Sequence, residues 1–259
     1  MEYQYTGKNT ESNNLLIDSS YKSIKFNDSY FYFNEDINYS YDEEKNEFNI
    51  FQSKHGARAF FYKGKLENIK INFIGYDEQI QYEIPNYPID QRGLTGCLTL
   101  VNLSVKNVTI KSSKSSCEDS VNLINVGGTL NEINITDSFR DGLDIDSSKV
   151  EIDTINVVSS KNDCVDLSAG NYKLNKLRLV NCGDKGLSVG EKSLVQLEGI
   201  FIENSNIGIA SKDSSITKIN NADLKNLETC VSAYNKKQEF FGGFLEIKNI
   251  ECKNFMNKT

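Results

Sequence analysis

The chain has 259 residues, with 29 basic and 36 acidic side chains and a formal net charge of −7. That length can bury a real core, and the acidic balance argues against a protein that coats nucleic-acid phosphates. At 38% hydrophobic residues it is too apolar for disorder, and one histidine, His55, excludes a multi-histidine metal site.

No apolar run approaches the ~18 residues that a membrane-spanning helix needs. The start, MEYQYTGKNTESNN, has no basic stretch followed by an apolar one, so no signal peptide is read there. The six cysteines show no CxxC spacing and no obvious pairing. The expectation is reduced thiols, no disulfide, and a cytoplasmic protein by default. A trimmed leader would make it extracellular, and a fragment of a longer chain or complex stays open.

In chain order, residues 1–45 are polar and tyrosine-rich, with YFYFN at 30–34. They read as an N-terminal cap with first strands, and 46–259 as the body of the same domain. ARAFFYKGKLENIKINFIG (57–75) reads as an early coil, and 76–95, holding Pro85 and Pro88, as a loop leaving it. Beyond that point a repeat takes over. Ser120, Gly142, Cys164, Gly186, Gly208 and Cys230 follow one another at steps of 22. The next residue in each row is apolar: Val121, Leu143, Val165, Leu187, Ile209 and Val231. Around these positions apolar residues alternate with polar ones, the period of a strand, and Asn, Asp, Ser, Gly and Lys fill the gaps as turn residues. YNKKQEFFGG (234–243) lengthens one row.

Short strands at a fixed period stack as a parallel coil, each row hydrogen-bonding to the next at about 4.8 Å with the inward residues forming a continuous core. The class is all-β, a parallel β-helix with coils of about 22 residues. Cys164 and Cys230 fall in one column three rows apart, too far for a bond, and read as small residues at a coil corner. The repeat length and inward ladder resemble right-handed parallel β-helix proteins of the pectin-lyase-like superfamily, and the resemblance implies the right hand of the coil. DGLDI, NDCVDLS, GDKGLSVGEKS and NIGIASKDSS also look like β-helix regions of bacterial proteins linked to surface polysaccharides.

The residue between two inward ones points out, which gives the column Asn122, Asp144, Asp166, Ser188, Ala210 and Ser232. Asp146 and Ser168 add a second outward position, and the preceding turns bring Arg140 with Asp141, Lys161 with Asp163, and Asp184 with Lys185. Asp144 and Asp166 stack one rung apart, about 5 Å by strand spacing, where two carboxylates share a proton or bind a cation. The expected catalytic set is therefore Asp144 and Asp166 with Lys185 as basic partner. Asp141, Asp163, Arg140 and Tyr234 are expected to contact substrate, and calcium, where present, to sit on Asp144, Asp146 and Asp166. The resemblance implies this last arrangement, since some polysaccharide lyases of the fold use an acidic calcium site with a basic residue. Asp213, two rows on, stands outside the cluster and serves as a neutral control.

The resulting expectation is a carbohydrate-active enzyme (lyase, epimerase or hydrolase) acting on a bacterial surface or extracellular polysaccharide. A non-catalytic glycan-binding or spacer module of a polysaccharide-assembly protein is the second class, and a phage-type fibre or spike the third. The partner in the first two is a polysaccharide or oligosaccharide, with no nucleic acid.

Overall fold

The computed structural model describes residues 21–76 and 89–257, and among them there are 19 strands and no helix. β1 (Tyr21–Phe26) and β2 (Ser29–Asn34) form an antiparallel hairpin; β3 (Ile37–Asp42) and β4 (Glu47–Gln52) form another. β5 (Ala59–Tyr62), β6 (Lys65–Glu67) and β7 (Lys70–Ile74) follow, with β5 antiparallel to β2 and β7 parallel to β4. The beginning of the stack is thus antiparallel where the repeat would have been parallel. Of the segment expected to cap the coil, residues 1–20 lie outside the described residues, as does most of the expected proline loop, 77–88.

The rest is a parallel β-solenoid. It comprises β8 (Gly96–Val101), β9 (Ser104–Ser113), β10 (Asp119–Ile124), β11 (Gly127–Ser138), β12 (Asp141–Asp146), β13 (Lys149–Ser160), β14 (Val165–Ser168), β15 (Asn171–Cys182), β16 (Lys185–Gly190), β17 (Leu194–Lys212), β18 (Ile216–Tyr234) and β19 (Phe244–Asn257). One wall stacks β5, β8, β10, β12, β14 and β16, then the C-terminal parts of β17 and β18. A second wall runs from β9 through β11, β13, β15, β17 and β18 to β19.

The inward column is the one the spacing predicts. Val121, Leu143, Val165, Leu187 and Ile209 stand opposite one another in register, each 0% exposed, with Val231 partly buried at the end. Each such aliphatic contributes roughly 1.5–3 kcal/mol by leaving water. The bends explain the abundance of asparagine. Asn181, Asn204, Asn226 and Asn254 all sit at positive φ, between 54° and 60°, a region that Asn tolerates better than most residues. Their side chains then stack, Asn204 Nδ2 donating to Asn181 Oδ1 at 2.8 Å and Asn254 Nδ2 to Asn226 Oδ1 at 3.1 Å.

The cysteines correct the expectation of free thiols. All six are paired, as Cys97–Cys117, Cys164–Cys182 and Cys230–Cys252, with Cα–Cα distances of 5.3, 5.3 and 6.4 Å. Cys97, Cys164 and Cys230 do share the small-residue column, where a Cβ on Gly142 would lie 2.6 Å from the Cys164 carbonyl oxygen. Bonds along that column are indeed impossible. The column also faces the opposite wall across the coil interior, where the methyls of Val157 or Ile202 would touch such a Cβ in the glycine rows. In three rows a second cysteine, 18 to 22 residues further on, occupies the far side instead. Each bond therefore cross-links the coil interior, a direction that comparison along the column does not test.

Candidate functional site

The outward column of the first wall runs Phe60, Thr99, Asn122, Asp144, Asp166, Ser188, Ala210. Although these side chains point away from the core, Thr99, Asn122, Ser188 and Ala210 are at most 1% exposed, while Asp144 and Asp166 are half-buried. The acids therefore lie at the base of a trough rather than on an open face. An apolar cluster of Tyr32, Phe60, Tyr62, Leu94 and Val101 seals one end, with the Arg92 guanidinium stacked 3.8 Å from the centre of the Tyr21 ring beside it. At the other end Lys212 lies over Gly190, where an added Cβ would meet Lys212 Cε at 3.5 Å. The lysine runs back along the wall, and its Nζ reaches 4.0 Å from Asp166 Oδ2.

Asn122 organises the acids. Its Nδ2 donates to Asp144 Oδ2 at 3.0 Å, to Asp119 Oδ2 at 3.3 Å and to Asp146 Oδ2 at 3.4 Å. One amide cannot offset three neighbouring carboxylates, and their mutual repulsion favours uptake of a proton. Burial, then the charges of Asp119, Asp146, Asp166 and Asp141, pushes Asp144 well above the ordinary carboxylate range. Burial also raises Asp146, against hydrogen bonds from Asn122 and Asp144. Asp119, 2% exposed, is pushed up to about 7, chiefly by burial. Four atoms along the column have no partner among the described residues: Thr99 Oγ1, Asn122 Oδ1, Asp166 Oδ1 and Ser188 Oγ. Buried polar atoms cost free energy when left unmatched, and these four lie on the two rungs to either side of Asp144.

The acids in the turns have different surroundings. The Asp141 carboxylate accepts the Asp163 N–H at 2.8 Å and Asn162 Nδ2 at 2.6 Å; Asp163 accepts the Lys185 N–H at 3.0 Å. Each thus ties its own row to the next. Burial and the charges of Asp163 and Asp119 raise Asp141 to about 7. The Lys185 ammonium is 3.3 Å from Asp163 and in hydrogen-bond contact with Asp184. Burial lowers its pKa, but the bonds and charges of Asp184 and Asp163 prevail and take it up to about 12. Arg140 pairs with Glu118 at 3.2 Å at the rim, and Tyr234, opposite Lys212, is near enough to Lys185, Lys236 and Asp184 to feel their charges. Asp213 is not the neutral control expected of it: it is 1% exposed and holds the 235–243 loop by accepting the N–H groups of Lys236 and Lys237.

The structure brings Asp144, Asp146 and Asp166 close enough to feel one another's charge. Among the described residues no group of three or more His, Cys, Asp or Glu side chains is arranged to hold a metal ion. Asn122 also directs N–H groups at the Asp144 and Asp146 oxygens that would have to coordinate it. Three members of the site were absent from the sequence-derived set. Asp119 and Asn122 lie one 22-residue step before Asp141 and Asp144, so the period contained them; Lys212 reaches back to Asp166 from a strand two rows on, which no spacing reveals.

The class defined by this fold and trough is a parallel β-solenoid with an acidic groove along one wall. Comparison with protein-family models, characterised proteins and solved structures gives no significant match to this chain. Among the described residues no helix is long and apolar enough to cross a membrane, a statement that leaves β-barrel spans untouched.

Proposed function

We propose that this protein is a carbohydrate-active enzyme that cleaves a glycosidic bond in a polysaccharide laid along the acidic trough. One observation carries the reading: a carboxyl held well above its usual range, Asp144, stands one rung from a second carboxylate, Asp166, on a column of unmatched polar atoms. Asp144, whose pKa burial and the neighbouring carboxylates raise, is the acid that donates to the leaving oxygen; Asp166 is the nucleophile or the base that activates water. Hydrolysis is favoured over β-elimination because Lys185, held as a cation between Asp163 and Asp184, is a poor base at neutral pH. The three disulfides favour an oxidising compartment, and hence an extracellular or surface polysaccharide as substrate.

The test is a reducing-end assay over a panel of neutral and acidic polysaccharides, repeated with Asp144→Asn and Asp166→Asn. Each variant is expected to lose at least 100-fold in turnover while keeping the wild-type far-UV spectrum. Binding without turnover by the wild type would support the glycan-binding module instead. Wild-type turnover in both variants would remove the acid pair from the mechanism.

A further inference from the structure

β19 is the last described strand of the stack. Among the described residues its only strand partner is β18, so its other edge presents unpaired backbone groups. The core is open there as well. Ile250 stands in the inward column of Ile200 and Ala222, which are 4% and 5% exposed, yet it is itself 48% exposed. The edge is held rigid, because the Cys230–Cys252 bond ties β19 to the row beneath it.

The charges along this strand alternate as Glu246, Lys248, Glu251, Lys253. Read in the opposite direction they are Lys, Glu, Lys, Glu. Two copies of β19 laid antiparallel about a dyad between Asn249 and Ile250 place Glu246 against Lys253 and Lys248 against Glu251. Symmetry doubles both, so four opposite-charge pairs form and no like charges meet. The same register sets Ile247 against Cys252, both inward positions of the open core. Parallel stacking of two such strands in register would instead face every charge with its like. The present partners of these side chains are weak competitors. The Lys218–Glu246 and Lys253–Glu251 pairs, at 3.5 and 2.6 Å, have side chains 48% to 58% exposed, where ion pairs are worth little.

We propose that the β19 edge is a homodimer interface, in which a second copy of the chain continues the sheet antiparallel across a two-fold axis and closes the open core. The interface is isologous, as a two-fold requires. The experiment is sedimentation velocity over a concentration series at low and high salt. The wild type is expected to dimerise, more weakly as salt rises. Lys248→Glu with Lys253→Glu makes the edge uniformly negative, and Glu246→Lys with Glu251→Lys makes it uniformly positive; each is expected to weaken dimerisation at least tenfold. An equimolar mixture of the two variants is expected to recover the dimer, as is the chain carrying all four reversals. A wild type that stays monomeric, a closed trimer, or a mixture no more associated than its components would overturn the proposal. Recovery in the mixture also excludes misfolding as the reason that either variant alone is monomeric.

Discussion

Asp119 offers the most direct test of the acidic trough. It is 2% exposed, accepts the Asn122 amide at 3.3 Å, and has its pKa pushed up from 3.8 to about 7 mainly by burial. A carboxyl with a raised folded pKa binds a proton in the native state that the unfolded chain has already released. Between pH 4 and 7 the native state therefore carries more protons, and stability falls as pH rises, by up to about 1.4 kcal/mol per pH unit for one group. Over about three units the loss is on the order of 4 kcal/mol. Asp119→Asn keeps the shape and leaves an oxygen for the Asn122 amide, but has no proton to lose. The variant should match the wild type near pH 4 and become progressively more stable than it up to pH 7, with a flat difference above. Urea unfolding at unit pH steps from 4 to 8 measures this. The difference between the two profiles reports Asp119 together with its charge coupling to Asp141, Asp144 and Asp146; the remaining raised carboxyl, Asp163, slopes both curves the same way. A difference that stays flat from pH 4 to 7, or a wild type more stable than the variant at pH 7, would show that Asp119 is ionised in the fold and that the trough is wet.

Two further outcomes concern the scaffold. Thiol titration of the unreduced, denatured protein should find none of the six cysteines free, and Cys164→Ser with Cys182→Ser should cost about 3 kcal/mol for the 18-residue separation it releases; two or more titratable thiols in the unreduced wild type would contradict the pairing. Leu187→Asp places an unpaired charge at 0% exposure between Val165 and Ile209, and should abolish cooperative unfolding or solubility at a cost above roughly 4 kcal/mol. Leu194→Asp, at a position 47% exposed, should move the melting temperature little, and equal effects of the two would refute the stacked core.

The solenoid was legible in the sequence because each coil must bury the same column. Val121, Leu143, Val165, Leu187 and Ile209 are forced to recur at 22 residues, and the outward neighbours Asp144 and Asp166 are carried into register with them. A period, however, records only what lies along the stack. The disulfides run across the coil interior, and Lys212 reaches Asp166 by folding its side chain back over two rows. Alternation pointed Asn122 and Ser188 outward, yet their burial depends on what lies over them. The turn acids Asp141 and Asp163 look like Asp144 in composition, and only the backbone N–H groups of the neighbouring row show that they fasten one coil to the next. Position along the axis was a property of the sequence; direction across it, and the degree of exposure that sets the chemistry of each carboxyl, belonged to the tertiary structure.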